Sequence, residues 1–365
     1  IIKIDSSISD EFDEIIDANN CIVTPGFIDS HTHPIFIGNR SNEFIMRLNG
    51  KTYDEIKEAG GGILSSIKNV REASFEELYL ASLENIAPFI NYGTTTLEAK
   101  SGYGLTFDDE IKSLKVIKEI NKNLDIDIIP TFLGAHAIPN EYSPDEYIDI
   151  ICEEMIPEIA EKKLAIFCDV FCEDGYFNIE QSKKIFQKAK SFGMIPRLHA
   201  DEFKYFGASK LASDLDAASA DHLMAISDEG IQALAKSNCI ATLLPGTTFF
   251  LNKDSYAPAR KLIDEGITVA LATDFNPGSC HIQSMPFIIT LAVMKLQMTI
   301  EEAFLAATLH GAKSLGLQNE IGSIAVGKKA DLIIWDISKL SEIPYYVSNH
   351  PIRHVIKNGK LVFGS

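Results

Sequence analysis

The chain has 365 residues, 46% of them hydrophobic and 23% charged, which is enough apolar material for a large buried core. Its 33 Lys and Arg against 51 Asp and Glu give a formal net charge of −18. That charge argues against nucleic acid or an anionic membrane surface as partner and favours a small-molecule substrate. The six cysteines (Cys21, Cys152, Cys168, Cys172, Cys239 and Cys280) lie mostly in apolar runs and read as reduced thiols of a cytoplasmic protein. Cys168 and Cys172 have no second pair to complete a four-ligand zinc site.

The first residues, IIKIDSSISDEFDEIIDANN, read as strand and turn material without an initiator Met or a targeting pattern. The chain is therefore expected to begin inside its first domain, with residues 1–23 forming an incomplete N-terminal part of a small β-domain. From about Thr24 to about Leu317, eight β-rich segments alternate with helical ones. The strands are GFIDSHTH, TTTLEAKSG, DIIPTFLGAHA, AIFCDVFCEDG, IPRLHADEF, SADHL, CIATLLPGTTFF and TVALATDFNPGS. Between them, stretches such as FEELYLASLENIAPFINYG and SPDEYIDIICEEMIPEIAEKK repeat apolar residues every three or four positions, as amphipathic crossover helices do. The pattern predicts a (β/α)8 TIM-like barrel over residues 24–317, since no glycine-rich phosphate turn follows the first strand as a doubly wound sheet would need. Residues 318–365, with NEIGSIAVGKKADLIIWD and HVIKNGKLVFG, return to short strands and glycine turns. Both chain ends are expected to pair into one small composite β-sandwich domain beside the barrel.

The chemistry sits at the strand ends. His31 and His33 are two apart at the end of the first barrel strand and project to the same side, so two imidazoles converge at the carboxyl mouth of the barrel. His199 in RLHADE and Asp274 in LATDFNPGS end two further strands and complete a four-group set suited to a divalent ion with an open position for water. His222 in SADHL and Glu202 can both reach that water as acid–base groups or as a fifth ligand. His136 in FLGAHAIP faces the same mouth as a substrate-binding group. His281, His310, His350 and His354 fall in helix, loop or β-domain contexts and read as structural.

The linked motifs PGFIDSHTHP, RLHADE, SADHL and ATDFNPGS, closed by GSIAVGKKADLIIWD, resemble the amidohydrolase superfamily over nearly the whole chain. No lysine ends the fourth strand, FCDVFCEDG, where binuclear members carry a metal-bridging one, so the resemblance is to a mononuclear member. Within the superfamily, LEAKSGYGL, TFLGAHAIP, RLHADEF and TDFNPGS resemble the imidazolonepropionase family of histidine metabolism. That resemblance implies hydrolysis of 4-imidazolone-5-propanoate to N-formimidoyl-L-glutamate by a homodimer. A mononuclear deaminase of a purine or pyrimidine is the alternative. The resemblance further implies one zinc or iron ion on His31, His33, His199 and Asp274, and substrate contacts from Arg40, Tyr103, His136, Glu202, Asn276, Gly278 and Ser279. Arg40 would offer its fork to the substrate carboxylate, helped by Tyr103 and His136. Glu202, His222 and Asp274 would share the proton transfers, and the sequence leaves open which moves each proton.

Overall fold

The computed structural model describes residues 1–8, 12 and 14–364. Regular structure begins with β1 (Val23–Pro25), which lies outside the barrel. Eight strands then pair in parallel, each with its successor in the chain: β2 (Phe27–Asp29), β3 (Thr94–Lys100), β4 (Asp127–Ala135), β5 (Phe167–Cys172), β6 (Ile195–Ala200), β7 (Ser219–His222), β8 (Ile240–Leu243) and β9 (Val269–Leu271). Helices cross between them, so the expected (β/α)8 order holds throughout. The first and eighth barrel strands meet through side chain and backbone. Thr273 donates its amide and its hydroxyl to the two oxygens of Asp29, at 3.0 and 2.6 Å. Just beyond, the Asp274 amide donates to the His31 carbonyl at 3.1 Å and the His33 amide to the Phe275 carbonyl at 2.8 Å.

The crossover helices start where the sequence places caps. Capping boxes of Ser74 with Glu77, Ser143 with Glu146, Asn178 with Gln181 and Thr299 with Glu302 open four of them. The helix from Pro144 contains a π-turn at Ile151–Met155 before it resumes at Ile156–Glu161. Pro157 lacks the N–H that would bond back by four residues, and the widened turn absorbs the misfit. The segment CIATLLPGTTFF is only partly strand. It leaves β8 at Leu243 and continues as the helix Pro245–Phe250, because proline in a first helical turn gives up no needed donor.

β10 (Leu332–Trp335), β11 (Ile352–Lys357) and β12 (Lys360–Phe363) complete an antiparallel sheet in the order β1-β10-β11-β12, which joins material from both chain ends. Trp335 fastens this sheet to the barrel. Its indole N–H donates to the Thr24 hydroxyl at 2.8 Å, and its ring meets Phe27 edge-on at 5.9 Å. Residues 1–22, expected to supply short strands, form none among the described residues, and Ile2, Ile4, Phe12 and Ile15 are exposed. Apolar alternation makes a strand only where a sheet edge receives it. No helix among the described residues is long and apolar enough to cross a membrane.

Candidate functional site

The mouth of the barrel gathers the strand-end residues. His31 Nε2 lies 3.2 Å from His33 Nε2, which lies 3.3 Å from His199 Nε2. Asp274 Oδ1 lies 3.6 and 3.5 Å from the Nε2 atoms of His31 and His33. His222 joins them, since ligand atoms of His31, His199 and His222 lie within 4.8 Å of one another. A tetrahedral ion with metal–nitrogen bonds of about 2.0–2.1 Å spaces its donors about 3.3–3.4 Å apart. The His31–His33 and His33–His199 nitrogens already have about that spacing, and Asp274 Oδ1 stands slightly farther off.

Proton positions make the same point. His31 Nδ1 faces Asp221 at 2.7 Å and His199 Nδ1 faces Asp169 at 3.1 Å. A carboxylate only accepts, so both rings carry a proton on Nδ1 and turn Nε2 to the cluster. His33 can give a proton to at most one of them, and its own Nδ1 is buried without a hydrogen-bond partner among the described residues. Burial, reinforced by the neighbouring cations and rings, holds His31, His33 and His222 well below the usual histidine range. Crowded, neutral imidazoles with lone pairs pointing inward form a site for a cation.

Backbone and buried charge hold this arrangement. His222 and Asp274 adopt φ of 80° and 56°, left-handed values that non-glycine residues reach at about 1–3 kcal/mol and that surrounding structure must enforce. Behind the rings, Lys100 Nζ bonds Glu98 and Asp169, each at 2.7 Å, while Arg197 lies 3.5 Å from Asp221. Burial opposes the charge on Lys100, but Asp169 and Glu98 outweigh it and its pKa rises. On Asp274, Oδ2 accepts from the Thr247 hydroxyl, and burial lifts the carboxyl to about 6 against that bond.

A cavity of about 760 Å³ opens above the cluster, lined by His33, His199, His222 and Asp274 together with Arg40, Tyr103, His136, Glu202, Asn276, Gly278 and Ser279. Glu202 Oε2 lies 3.7 Å from His222 Nε2. Burial, then the charge of Asp274, pushes the Glu202 carboxyl well above its usual range. Its loop is held by Glu173 Oε2, which accepts the Glu202 and Phe203 amides at 2.8 and 3.0 Å. Tyr103 rides on a loop whose Gly104 and Leu105 amides both donate to Glu110 at 2.9 Å, and burial raises its phenol. His136 Nδ1 donates to the Gly102 carbonyl at 2.9 Å, and burial takes the ring down to about 3, leaving a neutral ring with Nε2 as acceptor.

Two expected contacts are more constrained than the sequence suggests. Arg40 offers its Nε and Nη2 to Glu43 at 2.8 and 2.6 Å, so one edge of the fork is already engaged and the Nη1/Nη2 edge remains. Asn276 spends its carbonyl oxygen on the Gly278 and Ser279 amides, at 2.9 and 2.7 Å, and shapes the loop on which all three sit.

The profile of the Amidohydrolase family matches residues 22–362. An imidazolonepropionase of Clostridium tetani is 49% identical, covering 96% of this chain and 84% of that protein. Another, from Brevibacillus brevis, is 48% identical over 96% of this chain and 82% of its own length. The chain belongs to the imidazolonepropionase family of amidohydrolases. The crystal structure of 5-methylcytosine deaminase from Klebsiella pneumoniae liganded with phosphonocytosine superposes with a TM-score of 0.78, covering 99% of this chain and 91% of that one. At 15% identity it shares the fold alone.

In this amidohydrolase the sequence motifs did not show Asp169, Asp221, Lys100, Glu43 or Thr247, all of which brace residues of the mouth. The signal lay in charged residues inside apolar strands, as in LEAK and FCDVF, where Glu98, Lys100 and Asp169 are fully buried. Gly278 shows how tight the bracing is. A Cβ there would lie 2.2 Å from Arg40 Nη1 and 2.5 Å from its Cζ, and Glu43 keeps the guanidinium from swinging aside. Gly278→Ala is expected to lower kcat/KM roughly 10- to 100-fold through misplacement of Arg40. Steady-state kinetics beside metal content would check this, and an unchanged KM would show that Arg40 moves freely.

Proposed function

We propose that this chain opens the ring of 4-imidazolone-5-propanoate by metal-dependent hydrolysis, yielding N-formimidoyl-L-glutamate. One juxtaposition carries the reading: a cluster of imidazole and carboxylate donors and the cationic edge of Arg40 open onto one cavity. The named relatives support it. His31, His33, His199 and Asp274 would hold one divalent ion, zinc or iron. Such an ion, when bound, acidifies a water and polarises the ring carbonyl.

The side chains supply the remaining steps. Asp274 and the neutral His222 accept and steer the proton of the attacking water. Glu202, whose carboxyl burial pushes well above its usual range, donates to the ring nitrogen and covers it as the carbon–nitrogen bond breaks. Arg40 sets its free edge against the propanoate, and Tyr103 adds its hydroxyl. His136 differs from its expected role at that carboxylate. With Nδ1 committed to Gly102, its Nε2 accepts a ring N–H of the substrate instead.

Arg40→Ala tests the substrate. A charge-assisted hydrogen bond is worth about 1.5–3 kcal/mol, so kcat/KM on the propanoate should fall roughly 10- to 100-fold with metal content intact. Arg40→Lys should recover only part. The loss should be much smaller on an analogue with ethyl in place of propanoate; an equal loss would make Arg40 a structural residue. Turnover of cytosine or guanine by the wild type, without loss of imidazolonepropanoate, would overturn the reading as a whole.

A further inference from the structure

The cations around the cavity are unequally compensated. Arg40 is balanced by Glu43, whose oxygens lie 2.8 and 2.6 Å from its Nε and Nη2. Lys51, also on the lining, is paired with Glu55 at 2.6 Å. Arg47, one turn beyond Glu43 in the helix Ser41–Leu48, lines the same cavity and, like Lys253 on that lining, has no ion-pair partner among the described residues. Its Nη2 is buried and has no hydrogen-bond partner among the described residues. Its guanidinium stands 5.9 Å from the centroid of the Phe250 ring, which supports the planar group without neutralising it. Burial and the neighbouring Arg40 hold its pKa below the usual arginine value.

We propose that Arg47 is a second carboxylate-binding residue of this cavity, taking the substrate's carboxylate on Nη2 beside the free edge of Arg40. The inference deepens the proposed function and rests on its anionic substrate. Charge balance favours it. A carboxylate bound by Arg40 alone, with Glu43 in place, would leave the group with one excess negative charge. Two guanidiniums, Glu43 and one substrate carboxylate sum to zero, and partly buried charge is tolerated when it is balanced. A second reason is long-range. A chain with a net charge of −18 repels an anion, and an uncompensated guanidinium on the cavity wall supplies local attraction. The helix that carries Phe250 also carries Thr247, which bonds Asp274, so one element links the carboxylate end of the cavity to the donor cluster.

The test compares wild type, Arg47→Gln and Arg47→Lys on 4-imidazolone-5-propanoate and on its ethyl analogue, with metal content as the check on folding. Arg47→Gln should lose about ten- to thirty-fold in kcat/KM on the propanoate, mainly through KM, and about tenfold less on the ethyl analogue. Arg47→Lys should recover part. The decline of wild-type kcat/KM between about 0.02 and 0.5 M salt should flatten in Arg47→Gln. If Arg47→Gln loses its metal, Arg47→Lys, which keeps the charge, is read instead and should still show a several-fold rise in KM. Unchanged kcat/KM on the propanoate, or equal losses on both substrates at normal metal content, would overturn the assignment while leaving the function intact. Wild-type protein that hydrolyses both substrates alike would remove the carboxylate reading and Arg47 with it.

Discussion

His199→Ala is expected to strip the metal and abolish turnover together, with kcat falling roughly 10³-fold or more as the activated water is lost. His199 Nε2 lies 3.3 Å from His33 Nε2, so its removal leaves a gap in the cluster that no other imidazole fills at that spacing. Behind it, Asp169 keeps its 2.7 Å bond to Lys100, and the barrel should remain folded. Elemental analysis beside the assay decides the matter. Full metal with normal turnover would remove His199 from the ligand set. Asp221→Asn makes a graded comparison: it keeps the shape behind His31 but loses the charge that fixes its tautomer, and about 10- to 100-fold in metal affinity should go with it.

Glu202→Gln is expected to retain the metal and lose about 10²- to 10⁴-fold in kcat, the range that general acid–base groups typically contribute. The amide preserves size and hydrogen bonding, and Glu173 still holds the loop through the Glu202 amide at 2.8 Å. What disappears is the titratable proton of a carboxyl that burial and the charge of Asp274 push well above its usual range. The acid form is lost as pH rises through the raised pKa, so the wild-type rate should decline on the alkaline side and the variant's residual rate should not. An unchanged kcat would make Glu202 a bystander.

The barrel and its mouth were legible because both depend on short-range regularities. Apolar strands alternate with helical periodicity, and His31 and His33 share a side by the two-residue period. The bracing was not, since it joins distant segments: His31 to Asp221 across 190 residues, His199 to Asp169 across 30, and Lys100 to Asp169 across 69. Thr247 was hidden for a local reason. Its segment reads as continuous β-material until Pro245 is recognised as the start of a helix. Glu43 lies only three residues from Arg40, yet no motif marked it, and the orphan Nη2 of Arg47 emerges only once the cavity exists.

The join between the first and eighth barrel strands has a thermodynamic side. Asp29 and Thr273 are 244 residues apart in the chain, yet they meet beside the mouth. On the proposed ligand set, His31 and His33 belong to one margin of this join and Asp274 to the other. A bound ion would then act as a buckle, drawing together the two ends of a belt that hydrogen bonds already fasten. Ligands that recognise only the closed form stabilise it by mass action, by about 4.1 kcal/mol at a free concentration 1,000 times Kd. For this chain, acquiring its catalyst and completing its fold would be coupled equilibria, and metal scarcity would loosen the belt first at its fastening.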